Sequence, residues 1–280
     1  MSRDSSGILS MVGTPIGNLQ DASPRVIETL RQASVVYCED TRVTSRLMTR
    51  FELHVPLRRC DEHVIASRVD EVVRRVREGE RVAFVSDAGM PCVSDPGQAL
   101  VDAVLQEGLP LEVIPGPSAV TCALVASGLP MAQFFFEGFL PRKSGAQLRR
   151  LGELASVPGA LVFYESPKRV VGTLASIAEV MPGRRVALVR ELTKVHEEVV
   201  RDVAPVLAEH MAAREEIRGE CVIVVEGPTA GENSGPRIPL DDAIREGLAA
   251  GEPKSGLAKR LAREYGLSRS EVYDRLLALA

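Results

Sequence analysis

The stretch Val82 to Gly97 constrains the fold more than any other part of the chain. VAFVS (Val82 to Ser86) is an apolar run of strand length. It breaks into DAGMPCVSDPG (Asp87 to Gly97), where Gly89, Pro91, Pro96 and Gly97 rule out regular structure. QALVDAVLQE (Gln98 to Glu107) then spaces its apolar residues as a helix does and stops at Gly108, and LEVI (Leu111 to Ile114) resumes as a strand running into PGPSA. A strand, helix, strand unit closes by a right-handed crossover. The two strands are therefore parallel, and both loops leave one carboxyl edge of the sheet, where open α/β folds place their ligands. The first loop is longer than the roughly 2 to 6 residues of an ordinary connection, which favours a ligand loop over a plain turn.

The same alternation runs through the first half. ILSMV (Ile8 to Val12) is a strand ending in GTPIGNLQD, followed by a helix from Pro24 to about Gln32 behind a Ser23 cap. VVYC (Val35 to Cys38) is a strand that delivers Glu39 to Arg42, and a helix spans about Val64 to Arg77. A parallel sheet to about residue 128 follows. Gly13 and Gly17 are spaced GxxxG, which lacks the GxGxxG pattern of a dinucleotide site, although Glu39 lies near the place of a ribose-binding acid. The loops instead offer Asp87, Ser94, Asp95 and Ser118 beside prolines, a set suited to hydroxyls, amines and a cationic centre. Asp87 as a turn cap and Ser118 as a helix cap are the alternative readings.

The second half begins near Gln133. FFFEGF is a strand, and the segment after it carries Arg142, Lys143, Arg149 and Arg150 with no acid among them, either for phosphates or as a solvated basic face. ALVFYE (Ala160 to Glu165) and RVALVRE (Arg185 to Glu191) are strands flanking a helix that ends near Val180. After the tip LTKVHE come EVVRDV, a helix near Pro205 to Ala213, and ECVIVVEGP (Glu220 to Pro228). Short strands without a helix between Glu191 and Val199 predict a hairpin and a mixed sheet. Glu165 with Lys168, and Glu191 with Lys194, stand at strand ends facing the cleft, as a proton acceptor and a cation or as ion pairs. TAGENSGPR (Thr229 to Arg237) is a linker. Beyond it lie a helix, a turn at Tyr265 to Leu267 and a second helix with Ser268 and Glu271 as a capping box, resembling a helix-turn-helix. Its surplus of five Lys or Arg over one Glu from Pro253 to Ser270, including Lys254, Lys259 and Arg269, suits phosphate or a solvated hairpin. The expected organisation is α/β: a parallel-sheet domain (1–128), a mixed-sheet domain (129–230), a cleft between them, and a small helical domain (237–280).

Charge and composition narrow the function. A net charge of −4 argues against non-specific coating of nucleic acid or membrane. Five cysteines without a CxxC pair fit a reducing compartment, and four histidines without ligand spacing predict no metal site. MSRDSSG lacks the pattern of a signal peptide, and the uncharged run Ala119 to Phe136 is interrupted by Gly128, Pro130 and Gln133, so no membrane span and a cytoplasmic location are expected.

VGTPIGNLQD, YCEDTR, VSDAGMPCVSDPG, PGPSA, SGLP, FEGFLPRK, FYESPKR, RELTKVHEE and GECVIVVEG resemble, in order and spacing, the ribosomal RNA small subunit methyltransferase I family, among the tetrapyrrole-methylase-like S-adenosylmethionine enzymes. The resemblance covers about residues 8 to 228. It implies a homodimer that binds S-adenosylmethionine in the cleft and methylates the ribose 2′-hydroxyl of a cytidine in the decoding region of small-subunit (16S) ribosomal RNA, within an assembled subunit. By motif it implies cofactor contacts at Pro15, Asp87, Gly89, Met90, Ser94, Ser118 and Ala119, with Phe163, Tyr164, Glu165 and the segment Glu226 to Pro228 closing from the other domain. Glu165 and Lys168 are the candidate catalytic pair. A tetrapyrrole C-methyltransferase and a non-enzymatic RNA-binding protein are the rival functions.

Overall fold

The computed structural model describes residues 7–228, 239–265 and 267–279. The expected linker Thr229 to Arg237, and Gly266 within the expected turn, lie outside them.

Strands β1 (Ile8–Val12), β2 (Val35–Cys38), β3 (Leu57–Arg59), β4 (Arg81–Val85) and β5 (Leu111–Ile114) form one sheet in the order β3-β2-β4-β1-β5. Every pairing is parallel. Val82 to Val85 are fully buried, as a strand covered on both faces must be, which is why this stretch reads as an unbroken apolar run. Alternate residues feed two cores. Leu9, Tyr37, Val82 and Phe84 meet α3 (Ile65–Arg77) and α4 (Gln98–Gln106), whereas Val12, Val36, Ala83 and Val85 meet α1 (Pro24–Gln32) and α2 (Thr41–Arg50). Ser23 caps α1 by accepting the Val26 N–H at 3.2 Å, with Pro24 in the first turn. β3 and α2 carry little signal: β3 is a three-residue edge with exposed arginines, and α2 buries only Thr44, Leu47 and Met48.

The second sheet has the order β6-β7-β10-β8-β9, from β6 (Phe134–Phe139), β7 (Ala160–Glu165), β8 (Arg185–Arg190), β9 (Glu198–Val203) and β10 (Cys221–Val225). β6 and β7 are parallel and the other pairings antiparallel, with the expected β8 and β9 hairpin. One face packs on α6 (Ser144–Leu154), α7 (Val170–Val180) and α8 (Ala204–Ala212). The other face is covered by α5 (Ala119–Ser127), whose Val120, Ala123 and Leu124 meet Val162, Val189 and Val224. Although α5 precedes residue 128, it packs with the second sheet, because its nearly all-apolar surface finds cover there.

The helical region has three helices where two were expected: α9 (Leu240–Ala249), α10 (Lys254–Tyr265) and α11 (Arg269–Leu279). They share a core of Ile244, Leu257, Leu261, Val272 and Leu276. The capping box is present, with the Ser268 N–H donating to Glu271 at 2.9 Å and the Glu271 N–H to Ser268 Oγ at 3.2 Å.

Candidate active site

Three loops leave the carboxyl edge of the first sheet and are joined through their backbones. The Thr14 N–H donates to Gly89 O at 2.8 Å, and the Gly89 N–H returns to Thr14 O at 3.0 Å. Gly13 and Gly116 meet so closely that a Cβ on Gly116 would sit 2.6 Å from the Gly13 carbonyl carbon. Glycine is required where two backbones approach like this. The Gly116 N–H also points at Met90 Sδ, 3.3 Å away.

The second sheet supplies the opposite wall through one topological fact. β10 runs antiparallel between β7 and β8, so its first residue, Cys221, stands in register with the last residues of both, Glu165 and Arg190. The start of β10 therefore faces the loops. A cavity of about 400 Å³ lies between the two units, within the size range of small-molecule sites. Ile16, Met90, Val93, Phe139, Tyr164 and Val222 make apolar walls, and Ser94, Asp95, Ser118 and Glu220 bring polar groups. Ser118 occupies the cap position of α5 with no side-chain capping bond, which leaves its hydroxyl to the cavity.

Of the residues expected around the cofactor, the structure brings together Gly89, Met90, Ser94, Ser118, Ala119, Tyr164 and Glu165. Pro15 is buried beside the lining residue Ile16. Asp87 accepts the Asp40 N–H at 3.0 Å, and its own N–H donates to Glu39 at 3.2 Å, so it ties two loops together outside the lining set. Phe163 is fully buried in the core formed with α6, α7 and α8, because the alternation of β7 sends Tyr164 to the cavity side and Phe163 away. Pro228 follows the far end of β10, beyond Gly227, which packs on Gly159; the antiparallel direction of the strand puts Gly219 to Val222 at the cavity instead.

Glu165 is fully withdrawn from solvent. Its carboxylate accepts the Ser166 N–H at 2.8 Å and the Thr173 hydroxyl at 2.7 Å, with the Arg169 guanidinium 3.3 Å away. These bonds anchor the turn after β7. Lys168 in that turn is exposed. Lys194 is placed differently, bridging Glu191 at 2.9 Å and the lining residue Glu220 at 3.0 Å. Burial opposes its charge, but its bonds to the two carboxylates outweigh this and hold the ammonium above its ordinary range. The backbone N–H of Asn18, in the first loop, donates to Thr193 Oγ1 at 3.1 Å, so this tip also clasps the first unit.

Asp95 and Glu39 are the acids that the motifs did not single out as contacts. Burial pushes Asp95 up to about 6; burial and then the Asp95 charge push Glu39 up to about 7. The signal for Asp95 was an acid inside a Pro-Gly loop; the fold sets it in the wall of the cavity, which Phe139 and Tyr164 of the second unit also line. Gly138, at the bulge of β6, comes so near that a Cβ there would stand 3.1 Å from Ser94 Oγ. Among the described residues there is no His, Cys, Asp and Glu cluster able to hold a metal.

The basic candidates divide by their partners. Arg142, Lys143 and Arg149 are exposed, as are Lys254, Lys259 and Arg269. Arg150 is engaged: it makes two bonds to Glu137, at 2.7 and 2.8 Å, and one to Glu153 at 2.9 Å, which neutralise it.

Residues 9–208 match the family described as Tetrapyrrole (Corrin/Porphyrin) Methylases. Among solved structures, the methyltransferase CobJ superposes with a TM-score of 0.61 at 24% identity, over 80% of this chain and 95% of that one. Diphthine synthase does so with 0.62 at 17%, over 80% and 91%. A uroporphyrin-III C-methyltransferase from Thermus thermophilus, complexed with S-adenosylhomocysteine, gives 0.55 at 22%, over 78% and 96%. Curated relatives are nearer in sequence. Proteins named ribosomal RNA small subunit methyltransferase I are 41% identical in Mesorhizobium japonicum, over 97% of this chain and 92% of theirs, and 41% identical in Pseudomonas aeruginosa, over 98% of each. The one from Thermotoga maritima is 41% identical over 99% of its own length but 79% of this chain. Identity at this level over nearly the whole length, on a shared fold, means that the chain belongs to the ribosomal RNA small subunit methyltransferase I family, within the tetrapyrrole methylases.

Proposed function

We propose that this chain transfers a methyl group from S-adenosylmethionine to the ribose 2′-hydroxyl of a cytidine in the decoding region of 16S ribosomal RNA. The observation that carries this reading is the cavity between the units, taken with family membership. Its chemistry fits the cofactor. The apolar walls suit the adenine and the methionine chain, the Ser118 hydroxyl and loop backbones suit the polar ends, and Asp95 and Glu220 favour a cationic centre. Gly89, Met90, Ser94, Ser118, Ala119 and Tyr164 are the proposed contacts, with Pro15 and Asp87 shaping the loops behind them. When bound, the cofactor supplies an electrophilic methyl group.

The residues of this chain have positioning to perform. Methyl transfer needs the ribose oxygen in line with the methyl carbon and its leaving sulfur, and orientation alone can supply ~7 to 11 kcal/mol of a barrier. Glu165 holds the turn Ser166 to Arg169, of which Ser166 and Pro167 line the cavity; Lys168, exposed in that turn, is the cation that stabilises the oxygen as its proton passes to solvent water at the open mouth of the cavity. Arg142, Lys143 and Arg149, with Lys254, Lys259 and Arg269, meet phosphates of the assembled small subunit. The protein acts in the cytoplasm as a homodimer, for which exposed Val125 on α5 and Phe134 on β6 provide apolar surface. No helix among the described residues is long and apolar enough to cross a membrane.

The test is methyl incorporation from labelled S-adenosylmethionine into small subunits taken from cells lacking this chain, beside naked 16S RNA and a porphyrinoid. Label recovered as 2′-O-methylcytidine in subunit RNA is the expected result. Label in the porphyrinoid would replace this reading with tetrapyrrole C-methylation, and RNA binding without cofactor binding would leave a non-enzymatic RNA-binding protein.

A further inference from the structure

A second recess, about 340 Å³, opens on the same edge of the second sheet and is lined by Arg190, His196, Arg214, Glu216, Ile217 and Arg218. The strand order places it. Arg190 ends β8 in register with Cys221, a lining residue of the cavity, and Glu198 pairs with Arg190 across the β8 and β9 hairpin. The recess therefore continues the cavity's edge about one strand spacing, ~5 Å, further along the sheet. Arg218 is joined directly to Gly219, another residue of the cavity wall.

Its charge is arranged around shared counterions. Arg214 grips Glu198 through two bonds of 2.8 Å, and Arg190 Nε reaches the same carboxylate at 3.1 Å. Arg190 also donates to the Arg218 carbonyl at 3.1 Å. Arg218 bonds Glu216, and the side chains of these two are 80% and 58% exposed. Three guanidinium groups thus face two carboxylates, and His196 is also among the lining residues. A guanidinium carries five N–H donors, so each keeps donors beyond the bonds named, in the planar geometry that suits phosphate.

We propose that this recess binds a backbone phosphate of the RNA substrate, next to the nucleotide whose ribose enters the cavity. The proposal rests on the RNA-methyltransferase reading and assigns a contact to residues outside the basic helix and the helical tail. Arg190 and Arg214, fixed by Glu198, are the preformed floor. Arg218 is the movable partner, which exchanges Glu216 for the phosphate when RNA arrives.

Two variants of opposite sign test this. Arg218→Ala removes an exposed side chain whose partner among the described residues is Glu216, and is expected to weaken binding of unmodified small subunits about tenfold and lower the salt dependence of log K by about 1. Glu216→Gln removes the competing charge and is expected to tighten the same binding. Both should keep wild-type affinity for S-adenosylmethionine, and Arg218→Ala should raise KM for subunits more than it lowers kcat. Wild-type turnover with both variants binding subunits as the wild type does, or a Glu216→Gln chain that binds more weakly, overturns the phosphate site alone. A wild-type chain that methylates no subunit RNA overturns the methyltransferase reading and this proposal with it.

Discussion

Replacing Gly116 by Ala tests whether the backbone contact between the first and third loops builds the cofactor site. The new Cβ would lie 2.6 Å from the Gly13 carbonyl carbon and 2.8 Å from its Cα and its oxygen. All three atoms are backbone, so no side chain can swing aside. Restoring an ordinary separation of 3.4 Å from 2.6 Å requires the loops to part by about 0.8 Å. Overpacking of this kind costs ~1 to 3 kcal/mol, a loss of a few degrees in Tm for a chain of this size. The larger effect falls on function. The third loop carries Ser118, and the Gly116 N–H meets Met90 Sδ, so both lining residues move with the displaced backbone. A misplacement near 1 Å can cost ~100-fold in rate, and at least a tenfold loss in cofactor affinity is expected. Calorimetric titration with S-adenosylmethionine and a thermal melt measure the two effects separately. Gly145→Ala is the control, since its Cβ enters open space near the start of α6, and it should leave both unchanged or raise Tm slightly. Wild-type affinity in Gly116→Ala would refute the reasoning.

Glu39, pushed up to about 7, binds its proton more tightly folded than unfolded, so the stability this proton confers is complete below the ordinary carboxylate range and is lost as pH rises through 7. Glu39→Gln should therefore gain ~1 to 2 kcal/mol over the wild type between pH 5 and pH 8, discounted for partial solvent access, and urea melts at the two pH values check this. Glu165→Ala leaves the Thr173 hydroxyl without its acceptor and the Arg169 guanidinium, still bonded to the Leu140 and Pro141 carbonyls, without its counterion, and should lose ~3 kcal/mol, whereas Glu165→Gln should lose less and keep turnover; a stable Glu165→Gln chain with no turnover would make Glu165 the base instead. Arg142→Ala with Lys143→Ala should weaken subunit binding about tenfold in filter assays while sparing the cofactor. Arg150→Ala should instead show in the melt, by about 1 kcal/mol or less, because its bonds run to Glu137 and Glu153.

What the sequence could reveal depended on whether the deciding interaction was local. Strand β4 was legible because a parallel strand buried on both faces must be apolar throughout, and the capping box of α11 because Ser268 and Glu271 bond each other across three residues. Phe163 was within reach of the same reasoning. Period-two alternation along β7 assigns Phe163 and Tyr164 to opposite faces, so only one could line a cavity. Asp95 was legible as a polar group of its loop but its burial was not, since that comes only with the folded cavity, and α2 and β3 were not, since they bury too little to leave a pattern.

Pro228 shows the limit most clearly. The apolar run Cys221 to Val225 identifies a strand, but nothing within it records which way it crosses the sheet. Direction was settled by partners 56 and 31 residues earlier in the chain, Glu165 and Arg190, both opposite Cys221. That pairing moves the wall of the cavity from the end of β10 to its beginning, and it sets Gly219 to Val222 between the loops of the first sheet and the arginine recess. A strand inserted last and antiparallel into the centre of a sheet thus decides which chemistry lies side by side. The reversal of β10 is what brings the proposed phosphate recess within one strand of the cavity.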